Sequence, residues 1–389
     1  MVKKVYFDNA ATTPIHPNVL DKMLPYLSEH FGNPSSIHEA GRKVRVAIEE
    51  ARETLAGFIN ADPSEVYFVS GGTEANNFPL FGISKTELGE TGKKHIVSSK
   101  AEHHCVLESL EELSRQGFET SLVNVRIDSS VKIEEVKEFL SSDRTSLLSV
   151  IHANNETGTF NDIKTLSGLA HMSNAYFHSD CVQSFGKVPI DVKALGVDSL
   201  SFSSHKINGP KGSGAVYVKS GTPLSPLIFG GSQERNRRGG TENPAAIIGF
   251  AEAVKIASRN MQSNFEHVKS LRDLFIKGVH SIDPEGIEVN GGNNVIPHVL
   301  SITFKSEHYN SDAEAMLIYL DINGVAASNG AACTSGTLKP SHVILSMGKK
   351  LEDARGTLRF SFGSQNTPEE VEYVLEILNK MSQKFRKNG

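Results

Sequence analysis

Ser201-Phe-Ser-Ser-His-Lys206-Ile-Asn-Gly-Pro-Lys-Gly-Ser-Gly214 reads as a strand end, a polar turn and the approach to a second strand. Apolar residues predict the first strand over 200–203, and Ala215-Val-Tyr-Val218 predicts the second. Lys206 stands where the first strand stops, beside His205 and before Gly209-Pro210. A lysine between apolar strands is poorly served by bulk water. Burial lowers its pKa from the ordinary ~10.4, because the ammonium loses solvation. The neutral amine that results is a nucleophile toward aldehydes. The alternative is a turn lysine with its ammonium in solvent.

Outward from this stretch, short strands alternate with helices. Strands are predicted over 66–70, 95–99, 120–125, 146–152 and 175–180. Helices are predicted over 17–30, 40–60, 133–140 and 164–173, with others starting at Thr73 and Val106. Strand after strand ends in polar residues, as at Gly71-Gly-Thr-Glu74, Lys100-Ala-Glu-His103-His104, Asn154-Asn-Glu156 and Asp180. Open α/β sheets place ligands beyond the carboxyl ends of their strands. Connections of this length imply a largely parallel sheet covered by helices. Gly71 and Gly72 let the backbone approach a ligand closely, and Thr73 is expected to cap the next helix, whose N-terminus suits a phosphate. Pro79 is expected to kink or shorten that helix.

The remainder changes rhythm. Phe229 to Asn243 is rich in Gly and Arg, either a solvated loop or one that contacts an anion. A long helix is predicted over 244–281, then a strand over 299–304, a helix over 311–320 and strands over 325–326 and 358–363. Between the last two strands lies Ser328-Asn-Gly-Ala-Ala-Cys333-Thr-Ser-Gly-Thr-Leu-Lys-Pro340, small, polar and expected to be mobile. Thr367-Pro-Glu-Glu370 predicts a capping box that opens the closing helix.

A chain of 389 residues can bury a large core and suggests two domains. Its net charge of −5 argues against a general nucleic-acid binder. No apolar run is long enough to span a bilayer, and the first residues lack the apolar core of a signal peptide. The three cysteines, Cys105, Cys181 and Cys333, are too few for a disulfide framework and form no CxxC zinc pattern. Cys105 and Cys181 read as buried packing cysteines; Cys333, in its glycine-bearing loop, does not. The composition suits a soluble cytoplasmic enzyme.

Taken together, the strand ends suit pyridoxal phosphate. If Lys206 holds it as a Schiff base, the ring nitrogen needs a carboxylate to stay protonated, and Asp180 is the candidate. Gln183 could bond the ring hydroxyl, His103 could stack on the ring or merely cap a helix, and Gly72 and Thr73 could hold the phosphate.

The chain resembles the cysteine desulfurases of the NifS/IscS-like group, within the class V aminotransferases. The matching motifs are Tyr6-Phe-Asp-Asn-Ala-Ala-Thr-Thr-Pro14, Phe31-Gly-Asn-Pro-Ser-Ser36, Ser70-Gly-Gly-Thr-Glu74, Glu102-His103, Asn154-Asn-Glu-Thr-Gly158, Asp180-Cys-Val-Gln183, Ser203-Ser-His-Lys-Ile-Asn-Gly-Pro-Lys-Gly212, Gln233-Glu-Arg235 and Ala332-Cys-Thr-Ser335. The resemblance implies the fold type I of pyridoxal-phosphate transferases, an α/β class. It implies a large domain, 16–261, with a mainly parallel seven-stranded sheet covered by helices. A smaller α+β domain, 1–15 with 262–389, would carry the mobile Cys333 loop.

By the same resemblance, Lys206 would bind the cofactor covalently and move protons. Asp180 would pair the pyridine nitrogen and Gln183 the ring oxygen, and His103 would stack on the ring. Gly72, Thr73, Ser203 and His205 would hold the phosphate, with Thr241 reaching it from the second subunit of a homodimer. Asn155, Arg359 and Asn33 would fix the substrate L-cysteine. Cys333 would accept the sulfur as a persulfide, leaving alanine. No stable metal is implied, although the Cys333 persulfide could transiently ligate an iron–sulfur cluster. A cluster scaffold or another sulfur-acceptor protein would be the partner, with no direct nucleic-acid or membrane contact. Ala75, Gly231-Ser232 and Gly239 depart from the group's usual pattern and loosen the details of phosphate contact. Rival readings are a class V aminotransferase, a selenocysteine lyase, and a catalytically silent docking protein.

Overall fold

The computed structural model describes residues 3–330 and 339–387, so Cys333 lies outside the described residues. A seven-stranded sheet forms the centre. Its strands lie side by side in the order Val66–Val69, Gly214–Val218, Ser199–Ser203, Tyr176–Asp180, Thr145–Ser149, His95–Ser99 and Glu119–Val123. Gly214–Val218 runs antiparallel to both its neighbours, and every other pairing is parallel. Six strands therefore end on one edge, which gathers the polar residues that follow them.

Both faces of the sheet are covered, and the side chains divide between them as the pleat requires. Val97, Leu148, Ala215 and Tyr217 join a core with the helices Glu39–Phe58 and Ile163–Met172 and the start of Pro244–Ile282. Their neighbours Ile96, Leu147, Val216 and Val218 face the opposite core, under Gly72–Thr91 and His104–Arg115. The strands hold more hydroxyls than a doubly covered sheet usually carries. The cost of burying them is offset by carbonyls on adjacent chain: Ser98 Oγ donates to Ser149 O at 2.7 Å, Ser146 Oγ to His95 O at 3.1 Å, and Ser179 Oγ to Val150 O at 2.6 Å.

A second core is built on a three-stranded antiparallel sheet, Thr357–Ser361, Val299–Phe304 and Ile287–Asn290. The helix Pro368–Phe385 packs there through Val371, Val374, Leu378 and Met381, and Thr367 with Glu370 completes the expected capping box. The first residues of the chain belong to this core as well. Val5–Tyr6 pairs in parallel with Val325–Ala326, and Phe7 is fully buried. The helix Pro244–Ile282 serves both cores, with Ile247, Phe250 and Val254 in the first and Val268, Leu271, Phe275 and Val279 in the second. The boundary expected after residue 261 thus falls inside one continuous helix.

Pro79 does not shorten its helix, which runs unbroken over Gly72–Thr91. Burial of Phe78, Leu80 and Ile83 on both sides of the proline holds the helix where one backbone bond is missing. The strand expected over 146–152 pairs only through Thr145–Ser149, and the strand Ile287–Asn290 was not expected at all. Among the described residues, no helix is long and apolar enough to cross a membrane.

Candidate active site

The strand ends open onto a cavity of about 390 Å³. Lys206 lies in it, on the short helical turn Ser204–Lys206 that follows the strand Ser199–Ser203. Its Nζ donates to the carbonyls of Ala10, at 2.5 Å, and Ala11, at 2.7 Å. Burial, reinforced by the Arg359 charge, lowers its pKa to about 8, while Asp8 and Asp180 pull the other way. The Tyr6 to Pro14 segment therefore has a structural purpose: it reaches over from the second core and gives the amine its only hydrogen bonds among the described residues.

Asp180 sits at the end of its strand with its carboxylate in the cavity wall. Oδ2 accepts from Asn76 Nδ2 at 2.7 Å, and Oδ1 accepts from the Val182 N–H at 2.9 Å. Burial raises its pKa, and His103 and Lys206 oppose that rise. The amide of Asn76 is itself oriented, because its Oδ1 lies 3.0 Å from His178 Nε2. His178 Nδ1 meets Ser199 Oγ at 2.9 Å, and full burial holds the ring neutral, with a pKa of about 3. A neutral ring that donates from Nε2 to Asn76 leaves Nδ1 to accept from Ser199. The line Ser199–His178–Asn76–Asp180 fixes the carboxylate from behind.

At the other end of the cavity the helix Gly72–Thr91 begins. Gly71, not Thr73, occupies the capping position, and no side chain caps the helix. The expected Thr73 cap is thus corrected: Thr73 lies inside the first turn, and its exposed side chain lines the cavity. The first-turn N–H groups stay free for an anion. A Cβ on Gly72 would come within 2.9 Å of Val182 Cγ2, so the close approach here requires glycine. Ser203 Oγ is buried without a hydrogen-bond partner, and His205 lines the same wall, its pKa lowered to about 4 by burial.

His103 takes the helix-cap role open to it. It is the N-cap of His104–Arg115, its Nδ1 accepting the Cys105 N–H at 3.2 Å, and it also lines the cavity. Burial lowers its pKa. Cys105 packs against the core beneath its helix, and its thiol also borders the cavity, 3.1 Å from His103 Nδ1 and 3.3 Å from Asn76 Nδ2. Burial pushes that thiol well above its ordinary pKa and keeps it protonated. Cys181 is fully buried, as expected.

Arg359 comes from the second core, on the strand Thr357–Ser361. It is 5% exposed. Nη1 donates to Asn155 O at 2.9 Å and Nη2 to Asp8 Oδ1 at 3.0 Å, while Nε is buried without a partner among the described residues. Asn155 Oδ1 is likewise buried and unpartnered. Gln183 lines the cavity too, with Nε2 donating to Ala10 O at 3.0 Å. Two expected residues do not line it. Asn33 is exposed and its Oδ1 accepts from the Ser35 N–H at 2.9 Å, while Thr241 is exposed on the Gly/Arg-rich loop.

Residues 5–374 match the family model for the class-V aminotransferases. The sequence is 44% identical over 387 residues to cysteine desulfurase IscS of Dictyoglomus turgidum, covering 99% of this chain and 96% of that one. The chain belongs to the class-V aminotransferase family, in its cysteine desulfurase group. A putative cysteine desulfurase IscS 1 of Bacillus subtilis is 41% identical, over 98% of this chain and all of that one. Among solved structures, a NifS-like protein superposes with a TM-score of 0.90 at 34% identity, over 98% of this chain and 100% of that one. SspA in complex with cysteine gives a TM-score of 0.81 at 33% identity, over 93% and 99%.

Enzymes of this family use pyridoxal phosphate, and the residues of this desulfurase-group cavity fit it. An uncapped helix end and an unpartnered Ser203 hydroxyl suit a phosphate, a fixed carboxylate suits a ring nitrogen, and a desolvated amine suits an aldehyde. Sequence reasoning missed Asn76 and His178. Both were within reach of spacing: Asn76 is one helical turn beyond Gly72, and His178 shares a strand face with Asp180. His104 and His342 were also missed; their rings, 4.6 Å apart, border the cavity together. No signal in the sequence joins positions so far apart.

Proposed function

We propose that this chain is a pyridoxal-phosphate-dependent cysteine desulfurase. It removes sulfur from L-cysteine, releases L-alanine and carries the sulfur as a persulfide on Cys333. The observation that carries this reading is where the chain borders the cavity on either side of residues 331–338. Ser328 and Gly330 line it before that segment, and His342 lines it after. A transaminase has no use for a thiol tethered at such a place.

When bound, the cofactor supplies an electron sink that stabilises negative charge at the substrate Cα and loosens the Cβ–S bond. The protein supplies the rest. Arg359 and Asn155 hold the substrate carboxylate, Arg359 through donors still free on its guanidinium. Asn33 is assigned to the same carboxylate on the resemblance alone. The Lys206 amine, with a pKa near the working pH, takes the Cα proton and returns it. His103 accepts at Nδ1 from its helix, which leaves Nε2 to carry the hydrogen and serve as the second proton donor. Asp180 holds the ring nitrogen and Gln183 the ring oxygen. Gly72, Thr73, Ser203 and His205 hold the phosphate, with Thr241 from the second copy in a homodimer. In this reading 16–261 is the cofactor-binding domain, and 1–15 with 262–389 is the smaller domain.

The sulfur then serves iron–sulfur cluster assembly or tRNA thiolation, through a scaffold or acceptor protein that docks near the cavity mouth. A cluster that Cys333 ligates in passing is cargo. Cys333→Ala tests the reading. Alanine production and protein persulfide should vanish while the cofactor absorbance remains. Undiminished desulfuration by that variant, or turnover that depends on a keto acid, would overturn it.

A further inference from the structure

A second cavity, of about 130 Å³, also reaches Lys206. It lies where the two cores meet, between Asn9 and Phe362 on one side and Lys187 and Asn208 on the other. Among the described residues its titratable lining is entirely basic: His16, Lys187, Lys206 and His298, with no aspartate or glutamate. Lys187 makes no ion pair among the described residues, and its one hydrogen bond there, to Gln183 Oε1, is long at 3.4 Å. Burial, with the Lys206 and Arg359 charges, lowers its pKa to about 7. His298 is 8% exposed, and its Nδ1 is buried without a hydrogen-bond partner.

Two desolvated bases with no carboxylate between them are an unusual arrangement. A buried ammonium normally has a counter-charge, and a buried imidazole nitrogen normally has a partner. A small anion in the cavity would give the ammonium a counter-charge and an imidazole N–H an acceptor. A water takes ~30 Å³ of liquid volume. At about 130 Å³ the cavity has room for a halide-sized ion with part of its hydration. Asn260 and Asn264 line the same cavity and keep some exposure, which gives an ion a polar way in from solvent.

We propose that this second cavity binds a small inorganic monoanion of the halide class, held between Lys187 Nζ and the His298 imidazole. Because Lys206 borders the same space, an anion there favours the protonated form of the Lys206 nitrogen, and binding and protonation are linked reciprocally. The proposal does not require the desulfurase reading, and its test needs no turnover.

The test uses the holoenzyme with bromide as the only halide. Crystals should show an anomalous bromide peak within hydrogen-bonding distance of both Lys187 Nζ and His298. In solution, bromide resonance broadening should saturate, and Lys187→Met should weaken binding about tenfold, the effect of one lost charge-assisted hydrogen bond. His298→Leu is the second variant, should Lys187→Met fail to fold. Only water in the cavity, or broadening that neither variant changes, overturns the site.

Discussion

The two cavities that meet at Lys206 are furnished in opposite ways. The larger one sets acids among its bases: Asp180 and Glu156 line it, and Asp8 grips Arg359 beside it. Among the described residues the smaller one has bases alone. In the first, each charge has an opposing charge or a fixed dipole, so amine and carboxylate are poised by their surroundings. In the second, Lys187 has no acidic partner among the described residues and only a long hydrogen bond to Gln183. The contrast shows that burial by itself does not make a lysine catalytic. Lys206 and Lys187 are both desolvated, yet only Lys206 faces the groups that could hold a cofactor and a substrate.

The sharpest way to break that contrast is to ask which amine reacts. Lys206→Ala should lower alanine release from L-cysteine by ~10³-fold or more. Borohydride reduction of the wild-type holoenzyme, followed by peptide mapping, should mark Lys206 and leave Lys187 untouched. A mark on Lys187 would reverse the assignment. Next in size is Arg359→Lys, which loses the planar fork that suits a carboxylate. KM for L-cysteine should rise ~10- to 100-fold with a smaller change in kcat. A kcat loss with KM unchanged would move Arg359 out of the binding role.

Asn76→Ala is expected to act through Asp180. It removes the 2.7 Å bond to Oδ2 and leaves His178 Nε2 without its partner. Activity should fall ~10-fold, with a stability loss of ~1–3 kcal/mol in thermal or urea unfolding. Asn76→Asp, which puts a second carboxylate against the first, should be worse than alanine.

The smallest expected effect is a slope. In the cofactor-free protein Lys206 and Lys187 have pKa values lowered to about 8 and about 7 from an ordinary 10.5. Between those values and 10.5 the unfolded chain binds more protons than the folded one, so stability from these groups rises with pH across that window. Lys187→Met should flatten the rise measured by unfolding between pH 7 and pH 10. An unchanged slope would show that Lys187 keeps its charge when folded.

Much of this arrangement was legible in the chain. Lys206, Asp180 and His103 each announced themselves by ending a strand in polar residues, and the structure gathers them in one cavity. Alternating strands and helices of the right length implied the parallel sheet. Other readings failed for identifiable reasons. Thr73 looked like a cap because threonine favours that position, but Gly71 takes it and leaves the helix end uncapped. Cys105 packs as expected, but its context along the chain did not show that its thiol also borders the cavity. Asn33 and Thr241 are a different case: both are exposed outside the cavity of their own chain, and the reach of Thr241 into a second copy is not tested by one chain.

By itself the sequence determined the local chemistry: which residues sit at strand ends, where glycine permits close approach, and that the family motifs occur in order. Those properties depend on neighbours a few positions away, and period and propensity report them. Tertiary structure alone decided the electrostatics. The Tyr6–Pro14 segment crosses from the second core to bond Lys206, Asp8 reaches Arg359, and Lys187 comes to lie with His298 and no acid. Desolvation and charge pairing act through space between residues hundreds of positions apart, and no pattern along the chain encodes that distance.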